Sequence, residues 1–294
     1  MATAVEQQPV VVEEGFTAKI VRALAKAPVH LVLMLIAILW LIPTAGLFIT
    51  SLLTPSDQAE GGWWNFLFTP SAWTLQNYQD MFNDDDIVGA LVITAQVTLG
   101  ATILPILVAS LAAYALAWID FPGRDWVFLA VVALLVVPIQ MALIPMFSLY
   151  NRFSLFDTVP GLILFHSAFA LPFAIFLLRN FFAGIPRDLM EAARIDGASE
   201  IRLFFKVVLP LGLPAIASLA IFQVLFVWND LLIGLVMAQN NQPIAPEINS
   251  QLRQFGSNLD VIAPAAFFSA IVPLIIFAAF QRYFVQGLLA GSVK

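Results

Sequence analysis

The residues of this chain that could do chemistry are few and fall in two places. One is a set of polar side chains within otherwise apolar runs: Gln140, His166, Gln223, Trp228, Asn229 and Asp230. Amide, imidazole, indole and carboxylate groups in such surroundings hydrogen-bond either a neighbouring helix or a hydroxyl-bearing solute in a water-filled path. The other is the charged stretch Glu191 to Pro210, EAARIDGASEIRLFFKVVLP, between two long apolar runs. Neither has the spacing of a catalytic centre. His30 and His166, the two histidines, form no HExxH pair, no glycine is followed by the lysine of a phosphate loop, and no GxSxG elbow occurs. With zero cysteines, thiolate metal sites and disulfides are excluded. No catalytic residue and no metal ligand is assigned, and His30 reads as a membrane-interface residue.

Local chemistry predicts a helical hairpin for the charged stretch. Leu189 to Arg194 are strong helix formers, with Leu189, Ala192 and Ala193 at i, i+3 and i+4 on one face, and Pro186 suits the helix start. Gly197 supplies the positive φ that ends such a helix, Ser199 caps the next, and that second helix is expected to end at Pro210, where a new apolar run begins.

The rest of the chain must hold these residues in a bilayer. Hydrophobic residues make up 61% of the 294, including 26 Phe, more than a soluble domain could cover. Uncharged runs at 31–53, 87–119, 126–151, 158–178, 207–229 and 261–281 each reach the length of about 20 residues that a spanning helix needs, giving six spans and an all-α polytopic fold. The about 10-residue alternating strands of a membrane barrel are absent. The polar first 29 residues are not read as a signal peptide, since the start is acidic and the apolar run that follows is too long for an h-region.

Charge sorts by side. Eleven of the thirteen Lys and Arg lie before the first span, at 120–125, at 179–206 or after the last span, and only Arg152 and Arg253 fall elsewhere. The positive-inside rule then puts both termini and the hairpin in the cytoplasm. The outer loop 54–86 is acidic and carries Trp63, Trp64 and Trp73, a headgroup-level cluster. Its run Asp84, Asp85 and Asp86 is either solvated or faces a soluble partner or cation. Asp230 lies about 30 Å along a helix from Pro210, near the outer face, where it is either a hydrated interfacial carboxylate or lines a cavity. The outer segment 239–262 is amide-rich and long for a connection, as functional loops often are.

Glu191-Ala192-Ala193, three residues, Gly197, nine residues, Val207, one residue and Leu209-Pro210 together resemble the EAA loop of the membrane-spanning subunits of ATP-binding cassette importers, with Val207 where Ile is more usual. Two further stretches are similar to sugar-transporting members. They are Trp73 to Tyr78 before the second span and Trp228-Asn229-Asp230 at the end of the fifth. The tail QRYFVQGLLAGSVK resembles that of the second permease subunit of maltose-type importers, through Gln281, Arg282, Gly287, Leu288, Ala290, Gly291, Val293 and Lys294.

The resemblance implies a type I importer permease fold and a division into three regions: a tail and interfacial helix at 1–29, a six-helix permease region at 30–284 containing a coupling hairpin at 180–209, and a cytoplasmic tail at 285–294. It implies that Glu191, Ala192, Ala193, Asp196, Gly197, Leu209 and Pro210 couple to an ATPase. Gln140, His166, Gln223, Trp228, Asn229 and Asp230 would then line the substrate pathway. The expected partners are a second permease subunit, two cassette ATPase subunits, an extracytoplasmic sugar-binding protein and membrane lipid, with no nucleic acid. ATP and magnesium would sit on the partner ATPase, with no cofactor on this chain. In the maltose-importer branch the loop corresponding to 239–262 reaches into the binding protein. The substrate expected is a carbohydrate; glycerophosphodiesters or polyols are the alternative cargo, and an ion-coupled secondary transporter is the alternative machine.

Overall fold

The computed structural model describes residues 16–68, 73–255 and 258–290, and every regular element among them is helical. Helix α1 (Phe16–Leu52) runs unbroken through Pro28, so the interfacial helix expected before His30 is the start of the first span itself. Its side chains from Ala27 to Pro43 are all exposed, which makes it a peripheral helix that meets the others near its C-terminal end and along α13. The expected outer loop is not irregular. It holds α2 (Pro55–Glu60), a 3-10 turn at Trp63–Leu67 and α3 (Gln76–Asn83).

Buried Asn77 on α3 explains why that segment is ordered. Its amide donates to the Ser51 and Leu53 carbonyls at 3.0 and 2.7 Å, Gln58 Nε2 donates to Thr50 and Leu53, and Thr74 N donates to Leu52. The carbonyls left unpaired at the end of α1 are thereby satisfied.

Helix α4 (Asp85–Trp118) begins two residues before the uncharged run, and Asp84 caps it by accepting the Asp86 and Ile87 N–H groups, each at 3.0 Å. The Asp84 carboxylate is thus committed to the helix start, and Asp85 and Asp86 sit in its first turn, where the helix dipole favours negative charge.

The third span departs most from expectation. Residues 126–151 are divided between α5 (Arg124–Leu134) and α6 (Ile139–Arg152), which meet at 97°. Pro138 lacks an N–H and drives Val137 away from the helical region, after two β-branched residues that hold a helix poorly. Among the described residues, five helices are long and apolar enough to cross a membrane, and a sixth crossing follows if this bent pair is one span.

Helix α7 (Val159–Ala183), capped by Thr158 through Gly161 N at 3.1 Å, forms the most extensive helix pair of the molecule with α4. Then come α8 (Arg187–Ile195), α9 (Glu200–Leu203), a π-helical turn at Phe204–Val208 and α10 (Leu209–Trp228). The expected second hairpin helix does not stop at Pro210. It passes through the π turn into α10, giving one apolar span over Glu200–Trp228, and Pro210, which has no N–H to donate, follows directly on the π turn in which the Leu209 N–H donates to the Phe204 carbonyl.

The segment 239–262 is likewise largely helical. After α11 (Leu232–Met237) it forms α12 (Ile244–Phe255), whose Ile244 N–H donates to buried Thr94 Oγ1 on α4 at 2.7 Å. The last span, α13 (Leu259–Ala290), continues as helix past Gln281 through Gly287, Leu288 and Ala290, while Gly291, Val293 and Lys294 lie outside the described residues, as do 1–15. Helix α10 packs on α13, α4 and α7.

Candidate functional site

The charged stretch forms the expected hairpin at one end of the bundle. Gly197 has φ +80, its N–H donates to the Arg194 carbonyl at 3.0 Å, and Ala198 N–H donates to Ala193 at 3.0 Å. This pair of bonds closes the end of α8 and requires the left-handed conformation that glycine adopts freely. Ser199 accepts the Arg202 N–H at 3.4 Å and starts α9, as its type and position predicted.

Which face of the hairpin is buried differs from expectation. Met190 is fully buried and Ala193 half-buried, whereas Leu189, Ala192 and Glu191 are exposed. The face in the core is therefore Met190 with Ala193, one position round from the face drawn from Leu189. Met190, Leu203, Phe204 and Val208 enter an apolar cluster with Ala113 and Tyr114 of α4 and Leu178 and Phe182 of α7. At Gly212, a Cβ would come within 2.5 Å of the Phe182 ring, so glycine is what lets α10 approach α7 beside the hairpin.

A polar chain sets the hairpin's angle. Tyr114 Oη donates to a Glu200 carboxylate oxygen, Arg194 Nε donates to the other at 3.2 Å, and Trp118 Nε1 donates to the Phe182 carbonyl at 3.0 Å. Tyr114 and Trp118 are one helical turn apart on α4, so the two attachments leave one face. The reading from sequence missed all four of these residues. Its one available signal was that aromatic i, i+4 pair at the end of a span.

The opposite surface of the hairpin presents Ile195 at 86% exposure and Ile201 at 72%, with Leu189, Phe205, Glu191 and Ala192. Asp196 and Gly197 are exposed at the turn, Leu209 is half-buried and Pro210 is exposed. An apolar surface with a polar rim, held on a rigid mount, is the form of a protein docking site.

The polar residues of the spans separate into a pair and four single positions. His166 on α7 and Asp230 after α10 come together, with Nε2 and Oδ2 3.8 Å apart and both side chains largely buried. Asp230, for which a hydrated interfacial position and a cavity-lining one were both expected, is largely buried and accepts N–H bonds from Ile233 at 3.0 Å and Gly234 at 3.1 Å, so that it caps α11.

Trp228 donates from Nε1 to the Ser269 carbonyl at 2.9 Å and ties α10 to α13, and exposed Asn229 donates to Leu225 one turn back. Gln223 is buried and its amide nitrogen has no partner among the described residues. It lines a cleft of about 320 Å³ with Phe169, Phe173, Phe222 and Phe226. Gln140 is exposed and outside that cleft, though its neighbour Ile139 contributes to the lining.

At the end of the bundle remote from the hairpin, Asp157 gathers the start of the 239–262 segment. Its carboxylate accepts N–H bonds from Gln239, Asn240 and Asn241 at 2.8 to 3.2 Å and one from Asn240 Nδ2 at 2.7 Å. Burial pushes this carboxyl up, but the converging amides outweigh it and hold the group below its ordinary value.

Residues 105–290 match the family described as "Binding-protein-dependent transport system inner membrane component". The chain is 43% identical over 275 residues to an osmoprotective compounds uptake permease protein of Synechocystis sp., a match covering 92% of each. It is 46% identical over 234 residues to an alpha-glucoside transport system permease protein of Rhizobium meliloti, covering 77% of this chain and 62% of that relative. Its fold is similar to one chain in the crystal structure of a bacterial transporter involved in import of the acidic polysaccharide alginate. That match has a TM-score of 0.72 at 20% identity and covers 93% of this chain and 100% of the other.

Proposed function

From its membership of the binding-protein-dependent transport system inner membrane component family, to which this chain belongs, we propose that it is one permease subunit of an ATP-driven carbohydrate importer. The observation that carries this reading is the hairpin: an exposed apolar surface on a mount fixed by Met190 and the Tyr114–Glu200–Arg194 bonds. Such a part transmits force without doing chemistry. A second permease would complete the pathway, two ATPase subunits would hydrolyse ATP with magnesium, and a binding protein would deliver the solute. Glu191, Ala192, Asp196 and Gly197 would meet the ATPase directly, while Ala193, Leu209 and Pro210 join the hairpin to the bundle.

In this reading the hairpin end faces the cytoplasm, as the positive-inside charge count supports, in a bacterial or archaeal cytoplasmic membrane. Closure of the ATPase dimer swings α8 and α9. Because α9 is continuous with α10 through the π turn, the motion passes to the span that carries Gln223 and leads to Asp230. Gln223, whose amide nitrogen has no partner among the described residues and sits among four phenylalanines, is the residue best placed to meet a sugar. His166 and Asp230 form a polar pair at the outer end, and Gln140, Trp228 and Asn229 have at most a secondary part. A second cargo class, osmoprotective compounds, is favoured by the 43% identical relative.

The test is co-expression with candidate ATPase and binding-protein chains, followed by affinity purification through this chain. A stable assembly whose vesicles take up a sugar only with ATP is the expected result. Uptake by this chain alone, driven by an ion gradient, would replace the reading with a secondary transporter.

A further inference from the structure

Four guanidinium groups converge at the hairpin end of the bundle on a cleft of about 310 Å³. Arg124 comes from the start of α5, Arg179 from the end of α7, Arg187 from the start of α8 and Arg194 from its last turn, with Asp120 and Glu191 at the same cleft. Asp120 and Asp125 pair with Arg124 and Glu200 pairs with Arg194, which leaves Arg179 and Arg187 facing Glu191 as the charges free to meet a ligand. Arg187 has no hydrogen-bond or ion-pair partner among the described residues, and the buried Nε of Arg179 has none either. Arg124 is held by Asp120 at 2.7 Å and Arg194 by Glu200. Arg179 stacks over the Phe128 ring at 4.5 Å, which fixes its guanidinium while leaving Nε without an acceptor.

Beside the cleft the surface turns apolar. Trp126 is 76% exposed on the first turn of α5, followed by exposed Val127 and Leu129. Guanidinium groups that accept a tetrahedral anion in several directions, with an apolar wall next to them, match a molecule with a phosphate head and a hydrocarbon tail. The cleft lies at the ends of α4 and α7, two of the helices long and apolar enough to cross a membrane, and the ends of such helices are where headgroups are met.

We propose that this cleft binds the phosphate of an anionic glycerophospholipid and so attaches the base of the hairpin to the inner leaflet. The lipid would bridge α5, α7 and α8 and hold in place the part that receives the ATPase. The assignment of leaflet rests on the orientation proposed above, whereas the binding itself does not depend on it.

The test is native mass spectrometry of the purified full-length chain in detergent, titrated separately with phosphatidylglycerol, phosphatidylcholine and inorganic phosphate. Phosphatidylglycerol should be retained in preference to phosphatidylcholine. Arg187→Gln, which breaks no internal bond, should weaken retention about fivefold, and Arg179→Gln should do the same. Circular dichroism identical to the parent would establish that the variants fold. Equal retention of the two lipids, or retention unchanged in both variants, would overturn the proposal. So would loss of the lipid to millimolar inorganic phosphate, which would mark a site for free anions. None of these results depends on which way the chain is inserted, so a reversed topology would be recognised separately.

Discussion

Met190 and Tyr114 hold the hairpin to the bundle by different means, and their variants should differ. Met190 is fully buried among side chains of α4, α7 and α10, so Met190→Ala should cost about 2–5 kcal/mol. Tyr114→Phe keeps the ring against Phe204 and loses only the bond to Glu200. It should cost about 1 kcal/mol, because the carboxylate keeps Arg194 and is partly exposed. Thermal unfolding in detergent should therefore rank Met190→Ala well below Tyr114→Phe, and a reversed order would mean that the polar chain, not the packing, is the anchor. Gly197 was legible from sequence because a positive φ at that spacing has few other solutions. Met190 was not, since a helix between two spans has no water-facing reference against which to choose its buried face. His166 on α7 and Asp230 in the connection after α10 pair across 64 positions of sequence, which no local spacing could reveal.

At the scale of elements, the seams between helices are what the sequence concealed. Runs of apolar residues marked the spans, but the break at Pro138, the fusion of α9 with α10 and the helices within 54–86 and 239–262 depend on tertiary partners for their backbone groups. Asp157 is the clearest case: a single carboxylate takes up three consecutive backbone N–H groups and thereby sets where α12 begins. Its folded value is depressed, so its contribution is fully present above the ordinary value of 3.8 and is lost as pH falls through the lower folded value. Amide exchange at Gln239, Asn240 and Asn241 should be slow at neutral pH, and much faster in Asp157→Ala at that same pH. Equal exchange in parent and variant would show that the segment is held by something else, such as the Thr94 bond to Ile244.

For the whole molecule, membrane insertion was the most legible property and orientation the most inferential. The chain's lack of cysteine makes it directly testable, because any introduced cysteine is unique. Ile195→Cys lies on the exposed hairpin turn, and Gln239→Cys lies on the exposed surface at the opposite end. An impermeant maleimide added to intact cells should label Gln239→Cys and leave Ile195→Cys unmodified, with the pattern reversed in inside-out vesicles. The opposite pattern would invert the topology and remove the hairpin from the reach of a cytoplasmic ATPase.

The measurement that bears most directly on the proposed function is the ATPase rate of the reconstituted assembly, containing the second permease, ATPase and binding protein, across a panel of sugars and osmoprotective compounds. At least one carbohydrate should raise the rate when the binding protein is present and be taken up with ATP. Gly197→Asp, which forces a side chain into φ +80 at about 1–2 kcal/mol and adds charge at the turn, should leave the chain in the membrane while abolishing that stimulation. A rate indifferent to every solute, or stimulation and uptake unchanged in Gly197→Asp, would contradict it.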